Sequence, residues 1–172
     1  RDQWAEAFNL NYEDSDGKTQ NCHQTTFGMS ERLLGAIVGM HGDDAGLILP
    51  PSVAPHQVIL MPIAAHIDQK VSVTVDKLAE ELRNNGIRVF VDHRDLRPGT
   101  KHYDWEIKGA PIRLELGPRD LVSNQCVLTL RTGGKVEVSL DSISETINSK
   151  LDNISKTLRE RAGIHQKELI QQ

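Results

Sequence analysis

The sequence predicts an α/β fold in which a mixed, roughly five-stranded sheet is covered by helices. Three observations carry that expectation. From Gln57 onward, strand-like and helix-like periodicities follow one another in the order β-α-β-α-β-β-β-α. The first strand, QVILMPI, is a continuous apolar run rather than an alternating one, which suits a central strand buried on both faces. The segment after it, VSVTVDKLAEELRNNGI, puts Val75, Leu78, Ala79 and Leu82 on one helical stripe and ends at Gly86.

Taken in order, FNLNYE and KTQNCHQTTF flank DSDG, and two strand-like runs around Asp16–Gly17 predict a hairpin. Ser30 is placed to cap a helix with Glu31 in its first turn and Leu33, Leu34, Ile37 and Val38 at helical spacing. Gly35 and Gly39 sit four apart on that helix. Each costs about 1 kcal/mol against alanine, so close approach of a backbone or a ligand is expected there. HGDDAGLILPPSVAP then interrupts all periodicity, and Pro50, Pro51 and Pro55 predict a stiff linker. The expected division is residues 1–48, a linker at 49–55, and a second domain at 56–172. Within that domain RVFVD is the second strand, and TKHYDWEIKG is a short helix after Pro98–Gly99. PIRLEL, QCVLTLR and KVEVSL complete the sheet, the last two joined at Thr132–Gly133–Gly134. Asp141 or Ser142 caps a final helix carrying Ile143, Ile147, Leu151, Ile154 and Leu158.

Composition excludes several classes. At 172 residues and 38% hydrophobic content the chain can bury one good-sized core. No apolar run approaches the roughly 20 residues of a spanning helix, so no membrane association is expected. The opening RDQWAEAF lacks the apolar region of a signal peptide. Cys22 and Cys126 are too few and too far apart for a disulfide framework or a zinc cluster, and they predict buried thiols in a reducing cytoplasm. Net charge is −4 overall but −5 over residues 1–50 and +1 over the remainder. Residues 83–119 alone reach +3, a patch suited to a polyanion.

The residues with chemical potential are few. His41, Asp43 and Asp44 share one loop and are read as capping and turn residues rather than as a metal site. His23 has no nucleophile at recognisable spacing, so no triad is supported. Arg32, one turn into an apolar glycine-bearing helix, either forms a surface salt bridge or reaches a phosphate or adenine ring. The stretch WEIKGAPIRLELGPRD is more pointed. Ile112, Leu114 and Leu116 alternate with Arg113 and Glu115, a half-buried strand with an unusually charged outer face. Guanine offers N1–H and N2–H donors beside an O6 acceptor. Glu106, Glu115 or Asp120 can accept from the donors while Arg113 or Arg119 donates to O6. Trp105, Tyr103 or His102 can stack on a base. The competing reading is a solvated strand face held by cross-strand ion pairs.

A resemblance bears on both questions. TTFGMSERLLGAIVGMHGDDAGLILPPSVAPHQVILMPI resembles motif 3 of class II aminoacyl-tRNA synthetases running into their C-terminal anticodon-binding domain. RPGTKHYDWEIKGAPIRLELGPRD is similar to the prolyl-tRNA synthetase family, of the archaeal and eukaryotic-like type, and the likeness covers essentially the whole chain. It implies that an antiparallel catalytic domain contributes its last strands and motif 3 helix, and that an α/β anticodon-binding domain follows. It implies ATP contacts at Ser30 and Arg32, and anticodon contacts at His102, Glu106, Arg113, Arg119 and Asp120. His102 stands where the family usually has phenylalanine. Nothing resembles motif 1 or motif 2, nor the zinc-associated C-terminal extension. The implied chain is therefore a C-terminal piece, with no catalytic residue and no metal ligand of its own, inactive alone. Its parent would be a homodimeric, cytoplasmic ligase that uses ATP and Mg²⁺ to activate proline and charge tRNA(Pro). The alternative is a free-standing homologue of the anticodon-binding domain serving as a non-catalytic accessory subunit. Residues 1–40 weigh against it, because an accessory protein has no use for an ATP-contacting motif 3.

Overall fold

The structure, a computed structural model, describes residues 2–65 and 67–170. The chain packs as two compact units, Arg1–Leu34 and Gly35–Gln172.

The first unit opens with a short helix, α1 (Gln3–Ala7), whose Ala5 is buried and whose Trp4 ring stacks on Phe8 with centroids 5.8 Å apart. Five residues are too few to show a helical period, so α1 has no sequence signature. Asn9, at φ 53°, turns the chain, and the expected strand FNLNYE shrinks to β1 (Asn11–Glu13). It pairs antiparallel with β2 (Thr19–Asn21). Asp14 accepts from the N–H groups of Asp16 and Lys18, both at 2.9 Å, and Gly17 takes φ +76°. That is the hairpin expected at Asp16–Gly17. Helix α2 (Arg32–His41) spans the boundary between the units, and Ser30 Oγ accepts from the Arg32 N–H at 3.4 Å.

The second unit is built on a five-stranded sheet in the order β4-β3-β5-β6-β7. Strand β3 (Val58–Pro62) lies parallel to β4 (Val89–Val91) on one side and to β5 (Ile112–Leu116) on the other. Strands β6 (Gln125–Leu130) and β7 (Lys135–Ser139) continue antiparallel. The mixed α/β architecture expected from the sequence is the one observed. All five residues of β3 are buried, as its unbroken apolar run requires.

Each face of the sheet has its own core. Helices α3 (Gln69–Asn84) and α6 (Ile143–Ile170) cover one face, packing Val75, Leu82, Ile147 and Ile154 against Val58, Leu60, Leu114 and Leu128. Helix α4 (Pro98–Ile107) covers part of the other, where Trp105 and Ala110 cluster with Ile59 and Met61. The alternation in β5 therefore has a definite meaning. Ile112, Leu114 and Leu116 point into the larger core, and Arg113 and Glu115 join the α4 face.

Two further elements escaped the periodicity. A short helix, α5 (Pro118–Ser123), follows β5, and a 3₁₀ turn (Leu140–Ser142) precedes α6. The proline-rich segment expected as a stiff linker runs along the sheet unit and is bonded to it. Leu47 and Leu49 donate N–H bonds to the carbonyls of Ile107 and Gly109, and Ile48 and Ala54 are buried. The glycines at this contact are obligatory. A Cβ on Gly46 (φ +129°) would lie 2.6 Å from Ile107 Cα, and one on Gly109 (φ +72°) 2.5 Å from the Leu47 carbonyl oxygen. By contrast, a Cβ on Gly35 or Gly39 meets nothing within 4 Å among the described residues, so no backbone among them makes the close approach there.

Candidate nucleic-acid interface

The α4 face is where the chemistry collects. Register places Arg113 between Ile59 and Thr129, and Glu115 between Met61 and Val127. The next strand adds Lys135 opposite Thr129 and Glu137 opposite Val127. Helix α4 covers the β3–β4 half of this face, and an open groove lined by Ile63, Glu115, Asp120, Val127, Lys135 and Glu137 occupies the other half.

Helix α4 borders the groove through His102, which meets the lining residue Glu115. His102 and Glu106, a helical turn apart, both face β5. Arg113 Nη1 donates to the His102 carbonyl at 2.8 Å and lies 3.6 Å from Glu106 Oε2. His102 Nε2 lies 3.0 Å from Glu115 Oε1, off the hydrogen-bonding direction, so the contact is an ion pair only when the imidazole is protonated. The Arg113 side chain is 12% exposed against 37% for Glu106. Arg113 is thus an anchor whose Nε has no partner among the described residues, and Glu106 is the more accessible partner. Both readings of the charged strand hold part of the geometry: the ion pairs exist, but they run from helix to strand and rim an open groove.

Of the other expected contacts, Asp120 and Arg119 come from α5. Pro118 starts this helix, and Asp120 accepts from the Gly117 N–H at 2.7 Å, closing its first turn. The Gly-Pro-Arg-Asp order was therefore a helix-start signal as well as a set of charged residues. Asp120 still lines the groove, and Arg119 is exposed. Five of the expected residues thus gather around α4, β5 and α5. Ser30 and Arg32 belong to the first unit and stand exposed. No group of three or more potential metal ligands occurs among the described residues. Among the described residues, nothing beside Ser30 and Arg32 offers a metal seat.

Sequence reasoning missed the polar knot that holds α4. Asp92, fully buried at the end of β4, receives Arg94 through Nε (2.9 Å) and Nη2 (2.7 Å), and the Trp105 indole N–H at 2.7 Å. Arg94 also reaches Asp104 at 2.8 Å. Burial alone would raise the Asp92 carboxyl, but the bonds from Arg94 and Trp105 outweigh it and hold the group well below the usual carboxylate range. Trp105 is consequently core, not a free stacking surface: it packs at 5.1 Å from Phe90 and under Lys108 Nζ at 4.7 Å. Tyr103 remains exposed.

Arg131 is a second knot. Its side chain, 4% exposed, donates to the carbonyls of Leu47, Glu106 and Gly46 and pairs with both carboxylate oxygens of Asp43. Its hydrogen bond lowers the Asp43 carboxyl to about 2. Asp43 also accepts from the Ala45 N–H, the turn role expected of it. Of the two thiols, Cys126 is buried and burial pushes it up to about 11, whereas Cys22 is only partly covered.

A half-open mixed sheet with a carboxylate- and cation-rimmed groove beside a short helix is the setting into which the comparisons fall. The family model for the anticodon binding domain matches residues 57–150, the sheet and its first helices, and the chain belongs to that family. Among relatives, the proline--tRNA ligase of Thermococcus kodakarensis is 49% identical over 164 residues, covering 94% of this chain and 34% of that protein. The proline--tRNA ligases of Methanoregula boonei and Pyrococcus abyssi are 46% and 45% identical, over 95% and 93% of this chain. The chain spans about a third of the length of the curated relatives it matches. No described helix is long and apolar enough to cross a membrane.

Proposed function

We propose that this chain is the anticodon-reading part of a prolyl-tRNA synthetase that activates proline with ATP and attaches it to tRNA(Pro). The observation that carries this reading is the groove lined from β5, α5, β6 and β7 beside α4, in a chain resembling proline--tRNA ligases along nearly all its length. Relatives roughly three times as long favour a piece of a larger enzyme over a free-standing accessory protein. In the parent, the proline carboxylate attacks the ATP α-phosphate and pyrophosphate leaves. Ser30 and Arg32 are our candidates for ATP contacts there, and alone they do not make an active site. A cytoplasmic homodimer is our expectation for that parent.

At the edge of the groove, Glu106 accepts from the N1–H and N2–H of an unstacked guanine, while Arg113 holds that carboxylate in place and presents a donor to O6. Glu115 and Asp120 offer further acceptors, His102 a stacking surface, and Arg119 an exposed cation. Hydrogen-bond reading discriminates because a wrong base leaves these groups unpaired. By analogy with bidentate base contacts in DNA, one such contact is worth about 1–3 kcal/mol. Arg113→Ala should therefore erase the preference for tRNA(Pro) over a tRNA with an unrelated anticodon in fluorescence titrations at one salt concentration. Equal loss for both tRNAs would reduce Arg113 to a backbone contact and move specificity elsewhere.

A further inference from the structure

A second groove opens at the C-terminal ends of β3 and β4, lined among others by Ile63, Ala64, His93, Asp95, Arg97 and Lys101. The helix following β3 covers one face of the sheet and the helix following β4 the other. The C-terminal edge of parallel strands whose helices diverge in this way is where open α/β sheets form ligand crevices.

Lys101 is the anomaly in this groove. It is 5% exposed, yet its ammonium, with three donors, makes one hydrogen bond, to the Asp92 carbonyl at 3.0 Å. Among the described residues no carboxylate lies within ion-pair distance of it, because the Asp92 carboxylate is taken up by Arg94 and Trp105. A buried cation with spare donors and no counter-charge costs stability unless an anion completes it. Arg97 supplies a second cation: its side chain is exposed and has no ion-pair or hydrogen-bond partner among the described residues. It precedes Pro98 at the start of α4, an end with no side-chain cap, which adds partial positive charge at the same rim. The other charges there are committed or opposed. Arg94 is bound to Asp92 and Asp104, His93 to Asp76 at 2.8 Å, and the exposed Asp95 keeps the groove from being a general anion sink.

Ile63 lines both this groove and the carboxylate-rich one, and Lys101 and His102 are neighbours on α4. We propose that Lys101 and Arg97 seat a backbone phosphate of the RNA strand whose bases are read in the adjoining groove. This rests on the anticodon-reading proposal for its choice of anion. The seat is blind to sequence and fixes register; the neighbouring groove discriminates.

The test uses the 172-residue chain and anticodon stem-loop RNAs, cognate and anticodon-swapped, titrated by fluorescence anisotropy over a range of KCl concentrations. Arg97→Gln should weaken both RNAs by the same factor, about three- to tenfold, and flatten the salt dependence by about 0.7 in log–log slope, one single-strand phosphate. A neutral methylphosphonate scanned through the loop should reproduce that loss at one linkage in the wild type and cost nothing there in Arg97→Gln. Lys101→Met, which keeps the apolar stem, should match Arg97→Gln if circular dichroism shows it folded; if it unfolds, Arg97→Gln with the scan decides. Unchanged affinity and slope in Arg97→Gln, or a loss confined to the cognate RNA, would overturn the seat. Failure of the wild type to distinguish the two RNAs would sink the base-reading proposal and leave the phosphate seat standing.

Discussion

The two faces of the sheet are built from the same strands and are put to opposite uses. On the α3/α6 face every residue contributed by β5 is apolar and fully buried, and two long helices seal it. On the α4 face the next residues of that strand are Arg113 and Glu115, only one ten-residue helix covers the sheet, and the cover is fastened by polar bonds through Asp92. A sealed face is bound by burial and tolerates no polar group. A half-covered face must be held by directional bonds, and whatever they leave open becomes a site. Stability and recognition are divided here by the period-two alternation of single strands rather than by separate domains.

The largest effect should come from breaking the sealed face. Leu114→Ala removes a fully buried side chain between two helices and the sheet, and should cost about 2–5 kcal/mol in urea unfolding while leaving the groove residues in place. A loss below 1 kcal/mol would mean that this core is not close-packed.

Asp92→Asn probes the fastening of the other face and should cost less, about 1–3 kcal/mol, because Arg94 and the Trp105 N–H lose a charged acceptor. The sign of its pH dependence follows from the lowered carboxyl. A group depressed in the folded state stabilises fully above its unfolded value, about 3.9, and loses that contribution as pH falls toward its folded value. Wild type should therefore lose stability progressively below about pH 4. The Asn variant should lose less over the same window, and parallel acid limbs would show that Asp92 does not drive it.

The smallest effect is expected where neither face is touched. Lys167 lies exposed on the last turns of α6, and Lys167→Ala should change stability by no more than about 0.5 kcal/mol. It should also leave the preference among anticodons unaltered. A selective loss of tRNA(Pro) binding would extend the interface well beyond the α4 face.

Much of this was legible in the residues. The apolar run of QVILMPI, the stripe of α3 and the alternation of PIRLEL are local periodicities, and each element they mark is present. The charged stretch drew attention to Glu106, Arg113 and Asp120 because such residues are out of place on an ordinary strand face. Elements too short for a period, α1 and α5, were not legible, although Pro118 and Asp120 carried a start signal for the second. Nor was the fate of the proline-rich segment: composition made it a stiff linker, while Gly46, Gly109 and Arg131 bind it to the sheet unit.

Which residues alternate, which stripes are apolar and where the chain must turn are local properties, because they depend on neighbours within a few positions. What meets across longer spacings is set by the closed fold. It brought Asp92 to Trp105, thirteen residues on, and Asp43 to Arg131, eighty-eight residues on. It also turned Trp105 inward and buried Lys101 with no carboxylate in ion-pair reach among the described residues. Those outcomes follow from strand order and from which face each crossover helix takes, and no local pattern encodes them, because the partners are set by the closed sheet.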